Sequence, residues 1–262
     1  MLAPTQEVIP YQNYFMESKT SPTIIVPARL ASVRFPRKLL ADADGKPLIL
    51  RTADRIRSQA PEFDLYFGVD GDELKNVLEN AGHKVFLTNP ALQSGTDRIA
   101  EVNQILKKKL VINVQADEPM IEREHILLLS HALSRDDVSI STLASPFYNK
   151  DDFLDPNQVK VVLDNSDHAL YFSRSPIPYA REASFGWSEN KDSFGLKHMG
   201  IYGYTKAFLK DFISSKPGEL EKIEKLEQLR ALQLGYRIVV KRTNKVSVGV
   251  DVPSDLQQIQ FS

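Results

Sequence analysis

Four cations crowd into ten positions of the chain, Arg29, Arg34, Arg37 and Lys38, with Ser32 among them. Charges so close repel one another unless something negative lies between them. Arginine offers forked donors and lysine a point charge, and both suit the oxygens of a polyphosphate. A solvated basic loop is the plainer alternative. Further on, Asp117 and Glu118 stand side by side ahead of Pro119. Paired carboxylates after a strand are hard oxygen ligands of the kind Mg²⁺ shares with phosphates, although a lone Asp there is often only a helix cap. Asp251 sits between a small strand and a terminal helix, where a turn role is the ordinary expectation. Arg174 precedes Pro176 and Pro178, which stiffen the chain. A stiff arginine suits a bidentate grip on a carboxylate, with a surface ion pair as the alternative.

An alternating α/β frame must hold these groups. Thr23–Val26 is a brief β-branched run closed by Pro27, and it reads as a buried strand. The cationic loop then lies at the carboxyl end of a strand, where open α/β sheets bind ligands. A turn over 42–47 uses Gly45, and a helix follows over 48–58. Asp64–Val69 is a second strand, 72–81 a helix stopped by Gly82, and Lys84–Leu87 a third strand. This order predicts right-handed βαβ units, a Rossmann-like and mostly parallel sheet, and helices on both faces. Ser94 and Thr96 are cap candidates for a helix over Ile99–Leu106. A strand at 110–114, a helix at 122–133 and a strand at 139–144 continue the pattern.

From Pro146 the pattern changes. Strands at 159–164 and 169–173 predict a smaller mixed sub-domain over 146–204, between core segments 22–145 and 205–262. Residues 181–196 read as a mobile polar surface loop. In the strand that follows, His198, Gly200, Tyr202 and Tyr204 alternate with Met199, Ile201 and Gly203, which gives two faces. A single His on a strand is more often a structural hydrogen-bonder than a catalyst. A long helix is predicted over 220–234, burying Ile223, Leu226 and Leu229 and stopping at Gly235, with Glu227 and Gln228 flanking the buried side. By pattern alone these two are solvated. A strand at 238–241 and a capped helix at 254–259 end the frame. Residues 1–21 are an extension without period, and Met16 is expected as the native start.

Composition narrows the functions. The 262 residues carry a net charge of −1, so no global basic field points to nucleic acid. Cysteine is absent, which excludes disulfides, thiolate catalysis and cysteine metal sites and fits a reducing compartment. No apolar run approaches a membrane span, and the start lacks the features of a secretory signal. No G-x-G-x-x-G follows the first strand, which argues against a plain dehydrogenase.

A series of motifs, in order along the chain, carries a resemblance over about residues 22–260. Pro27-Ala28-Arg29 with Ser32, Arg34, Pro36 and Lys38 resembles the CTP-binding loop of the sugar-acid cytidylyltransferases. Within that family the loop is most similar to the 3-deoxy-manno-octulosonate (KDO) cytidylyltransferases. Gln93–Arg98 resembles the loop that recognises the cytosine ring, and Gly95 permits the close approach a base edge needs. Gln115–Pro119 resembles Q-G-D-E-P, and Phe172–Pro178 the sugar-acid-binding strand. His198–Tyr204 and Glu224–Leu232 resemble segments that line the sugar pocket, and Gly249–Leu256 an element that carries a second metal ligand. Three positions depart from the family pattern: Arg37 and Ala116 replace glycines, and Leu39 replaces a proline. Positive φ at Arg37 costs on the order of 1 kcal/mol.

The resemblance implies the nucleotide-diphospho-sugar transferase type of fold and transfer of CMP from CTP to KDO, for lipopolysaccharide biosynthesis. It implies Arg29, Lys38 and Asp117 as catalytic residues. Arg29, Ser32, Lys38, Ser94, Gly95 and Gln115 would bind the nucleotide, with Arg34 a weaker candidate. Arg174, His198, Tyr202, Glu227 and Gln228 would bind the sugar acid, and Asp117 and Asp251 would hold Mg²⁺, with Glu118 supporting. A cytoplasmic homodimer joined through the added strands is implied, with no nucleic-acid or membrane partner. The open alternatives are 8-amino-KDO or a nonulosonate as acceptor, or a non-catalytic CTP-binding regulator.

Overall fold

The structure, a computed structural model, describes residues 21–32, 34–92, 94–179, 181, 195–247 and 249–259. The expected N-terminal extension with Met16, and nearly all of the expected polar loop at 181–196, lie outside the described residues.

Strand β1 (Thr23–Ala28) is wholly buried. It continues one residue past Pro27 rather than closing there. The imino acid costs nothing at this point, because the neighbouring strand β4 (Leu110–Asn113) pairs only with Thr23, Ile24 and Ile25. On its other side β1 pairs in parallel with β2 (Leu65–Val69), which pairs in parallel with β3 (Lys84–Leu87). Beyond β4 come β8 (Leu196–Thr205), β5 (Ile140–Pro146) and β9 (Ile238–Arg242). Strand β8 runs antiparallel to both neighbours, and β5 and β9 are parallel. The added strands β6 (Lys160–Leu163) and β7 (Ala169–Ser173) extend the same sheet, since β6 pairs with the first residues of β8.

Alternate residues of β1 separate two cores, as the strand period requires. Ile24 and Val26 pack with α1 (Leu48–Gln59), α2 (Asp72–Asn80) and α4 (Arg123–Leu133). Ile25 packs with α3 (Gly95–Leu106), α6 (Lys206–Ser214) and α8 (Gln228–Gln233) on the other face. The expected α/β fold with helices on both faces is therefore present. Two helices were not anticipated, α6 and the short α5 (Lys150–Leu154). The last helix, α9, spans Pro253–Gln258.

The single helix expected at 220–234 is a correction. It is broken into α7 (Glu219–Glu224) and α8, with Lys225 left-handed at φ 56° between them. Tertiary pairing outweighs the helical pattern here. Glu224 leaves the helix end to accept from Ser173 Oγ at 2.6 Å and from the Arg174 amide at 3.0 Å. Glu221 and Arg230 form a buried pair across the break, with contacts of 2.5 and 2.7 Å. The rotation leaves Ile223 78% exposed instead of buried, while Leu226 and Leu229 are in the core.

Candidate active site

The loop after β1 hangs from the end of β2. Both carboxylate oxygens of Asp70 accept from the Leu30 amide at 3.1 Å. At its far end Arg37 is left-handed, at φ 58° and ψ 25°, and opens a 3-10 turn over Lys38–Leu40. Consecutive side chains thus leave in different directions. Arg37 pairs with Glu73 on α2, Leu39 is buried, and Lys38 enters a cavity of about 390 Å³. Arg29, Ser32, Arg34, Ser94, Gly95, Gln115, Asp117 and Asp251 also line this cavity. The departure Arg37 thus takes a positive φ, and its guanidinium faces α2.

Asp117 follows β4, and Asp251 lies just before α9. They meet across the cavity. Lys38 Nζ is 2.5 Å from Asp117 Oδ2 and 3.7 Å from Asp251 Oδ1, and it donates to the Val250 carbonyl at 2.7 Å. Arg34 contacts Asp251 Oδ1 at 2.7 Å. The two distant segments are joined directly, because the Val250 amide donates to the Asp117 carbonyl at 2.9 Å. Asp255 caps the 251–252 turn by accepting from both amides, at 2.7 and 2.9 Å. Glu118 turns inward and accepts from Ser247. Burial, opposed by that hydrogen bond, pushes its carboxyl up to about 7. Gly249 packs close beside it, since a Cβ there would lie 3.1 Å from Glu118 Oε1. Among the described residues no three His, Cys, Asp or Glu side chains form a complete metal cluster. Two carboxylates converging on one cation do fit a hard dication whose remaining ligands are phosphate oxygens and water.

A second cavity of about 350 Å³ adjoins the first, and Gly95, Gln115 and Glu227 line both. Ser94 caps α3 by accepting from the Asp97 amide at 3.0 Å, as expected. Thr96 lies inside the first turn instead, and its hydroxyl donates to Glu227 Oε2 at 2.8 Å. Glu227 reaches this wall because the chain breaks at Lys225. Burial raises its carboxyl pKa, and the Thr96 hydrogen bond opposes that rise. A Cβ on Gly95 would lie 3.3 Å from Pro27 Cγ, so the α3 terminus sits hard against β1.

His198, Tyr202 and Gln228 line the second cavity together with Asn113, Lys197 and Lys225. In a regular strand residues four apart lie about 13 Å from each other. Here the register of β5 with β8 slips, so that Thr142 faces Tyr202 while Leu143 faces Met199. The bulge brings the His198 and Tyr202 rings to 5.3 Å. Thr142 Oγ1 sits 3.1 Å from His198 Nε2. Burial alone pulls the imidazole down to about 3, so it is neutral at physiological pH. Among the described residues the buried Gln228 Nε2 has no hydrogen-bond partner, and so it is available to a ligand.

Arg174 lines neither cavity. Its guanidinium donates to the carbonyls of Glu224 at 2.8 Å and Pro156 at 3.0 Å. It braces the break between α7 and α8 from behind. Arg98 belongs to the Gln93–Arg98 motif, although the sequence assigned it no role of its own. It is 3% exposed, lines the first cavity and donates to Thr88 Oγ1. A charged residue on the buried face of an apolar helix was the available signal.

Comparison with known proteins bears on this paired cavity. A family model described as cytidylyltransferase matches residues 23–238. The 3-deoxy-manno-octulosonate cytidylyltransferase of Thermodesulfovibrio yellowstonii is 42% identical over 241 residues, 89% of this chain and 94% of the relative. That of Nitratiruptor sp. is 44% identical over 245 residues, covering 91% and 98%. The chain belongs to the 3-deoxy-manno-octulosonate cytidylyltransferase family. As a cytidylyltransferase it is a nucleotidyltransferase enzyme, as the motifs implied. A solved CMP:2-keto-3-deoxy-manno-octonic acid synthetase complexed with CTP superposes with a TM-score of 0.83 at 33% identity, over 91% of this chain and 96% of that one. A more distant 4-diphosphocytidyl-2C-methyl-D-erythritol synthase from Anaerococcus prevotii, 13% identical with a TM-score of 0.58, shares the fold. The matched span 23–238 holds the lining residues of both cavities except Asp251.

Proposed function

We propose that the chain transfers CMP from CTP to the anomeric hydroxyl of 3-deoxy-D-manno-octulosonate, releasing pyrophosphate, in the service of lipopolysaccharide biosynthesis. The observation that carries this reading is the shared wall of Gly95, Gln115 and Glu227 between a cavity lined by cations and carboxylates and one lined by aromatic and amide side chains. Two substrates bound on either side would meet at that wall. The sugar oxygen bonds to the α-phosphorus, the bond from that phosphorus to the bridging oxygen breaks, pyrophosphate leaves and the hydroxyl proton is released. Such a transfer depends mainly on positioning and charge stabilisation.

In this reading Arg29 and Lys38 steady the triphosphate, with Arg34 beside them. Ser32, Ser94, Gly95 and Gln115 hold the nucleotide. His198, Tyr202, Glu227 and Gln228 hold the sugar hydroxyls, and Lys197 and Lys225 offer positive charge to the sugar carboxylate. Arg174 supports the cavity through the α7–α8 break. Asp117 and Asp251 would hold Mg²⁺, which would supply charge neutralisation at the phosphate oxygens. Neutral His198 donates or accepts a hydrogen bond without adding charge. We place the enzyme in the cytoplasm as a homodimer through β6 and β7, acting on small molecules and not on nucleic acid. In support, no helix among the described residues is long and apolar enough to cross a membrane.

Pyrophosphate release with CTP, Mg²⁺ and KDO tests the assignment. Asp117→Asn is expected to keep the fold and lower turnover by about 100-fold or more. Near-normal release by that variant refutes the role of Asp117. A higher kcat/KM for 8-amino-KDO or a nonulosonate would reassign the acceptor.

A further inference from the structure

The carboxylates that face the first cavity already carry counterions from the chain itself. Asp117 is met by Lys38 Nζ at 2.5 Å, and Asp251 by Arg34 at 2.7 Å and Lys38 at 3.7 Å. Formal charges in this cluster cancel, two cations against two anions. A dication approaching the protein alone meets a neutral group with an ammonium lodged between the two ligands. It must displace that ammonium, which would keep only the neutral Val250 carbonyl of its present acceptors. A triphosphate changes this, because Lys38 and Arg34 line the same cavity as Arg29 and Ser32. Phosphate oxygens there offer both cations a replacement for the carboxylates.

We propose that Lys38 and Arg34 cap the metal site in the free enzyme, so that divalent cation and nucleoside triphosphate bind with strong positive coupling. The proposal rests on Asp117 and Asp251 being the metal ligands. Coupling of this kind is reciprocal, and the metal raises nucleotide affinity by the factor that the nucleotide raises metal affinity. The two caps contribute unequally. Lys38 is 13% exposed and touches both carboxylates, whereas Arg34 is 55% exposed and touches one. Its pair with Asp251 is a surface pair with a small contribution.

The test is Mn²⁺ binding to the intact protein by electron paramagnetic resonance, without sugar, with and without saturating CTP. Metal held by CTP in solution is subtracted from a protein-free titration. Wild type is expected to bind Mn²⁺ alone about tenfold or more weakly than in the presence of CTP. Arg34→Gln, at an exposed position, is expected to tighten Mn²⁺-alone binding about two- to fivefold. Lys38→Met tightens it about tenfold, and adding Asp251→Asn to that variant removes the gain. Mn²⁺ binding to wild type that is equally tight with and without CTP overturns the proposal, as does unchanged Mn²⁺-alone affinity in both cap variants. Failure of CTP to bind at all is a separate result, which defeats the functional reading itself.

Discussion

Glycine at position 37 should give a more stable protein than alanine at the same position. Arg37 sits at φ 58° and ψ 25°, in the left-handed region, where a residue with a Cβ is strained by about 1–2 kcal/mol. Glycine escapes that strain but gives back about 0.4–1 kcal/mol through its greater freedom in the unfolded chain. The net advantage of Arg37→Gly over Arg37→Ala is then about 0.5–1 kcal/mol, or ~1–4 °C in Tm for a chain of this size. Wild type differs from the alanine variant by the ion pair with Glu73. With side chains 58% and 47% exposed, that pair contributes about 0.2–1 kcal/mol and weakens with salt. Wild type and Arg37→Gly should therefore lie close together at low salt and separate as salt rises. Thermal or urea unfolding of the three proteins at two ionic strengths reads both terms. Because Arg37 faces α2, the KM for CTP should be unchanged in either variant. An alanine variant as stable as the glycine variant, or a glycine–alanine gap that closes with salt, refutes the backbone argument.

Glu221→Ala should destabilise the protein by about 3 kcal/mol or more, since it leaves Arg230 buried without its partner; equilibrium unfolding measures this. His198 titrates at about 3 in the folded chain against an ordinary 6.5, so the unfolded chain takes up the proton first. Its contribution to stability is present above pH 6.5 and is lost as pH falls toward 3, by up to about 1.4 kcal/mol per unit. His198→Gln should flatten that part of the stability–pH curve. Gly95→Ala should raise the KM for CTP about fivefold with kcat largely spared, because its Cβ presses on Pro27 at 3.3 Å and moves the shared wall.

Much of this site could be read from residue types and order. The cationic loop was legible because a β-branched run followed by Pro27 locates the strand end to within a residue, and ligands gather at such ends. That Asp117 and Asp251 approach one another was implied only by resemblance, since the 133 intervening positions carry no local signal of their contact. The break at Lys225 was illegible for a different reason. Every residue from 219 to 233 is compatible with one helix, and the break follows from the buried Glu221–Arg230 pair across it and the long-range Glu224–Ser173 bond. The same blindness applies to Arg174, whose stiff segment was correctly located but whose donors go to backbone carbonyls. The bulge that unites His198 and Tyr202 depends on Thr142, and β8 alone gives no sign of it.

The position of β8 has a consequence for how the chain reaches this state. Strands β4 and β5 are consecutive in their direct parallel-sheet order, yet β8 lies between them and bonds to both. Until residues 196–205 have been synthesised, the middle of the sheet is open and two strand edges face solvent. Closing it joins Asn113 to Tyr202 and Thr142 to Tyr202, contacts of high sequence separation, which makes assembly slow compared with the local βαβ steps. A nascent chain stalled inside the 146–195 excursion would thus carry the cationic loop on an unclosed, aggregation-prone half-sheet.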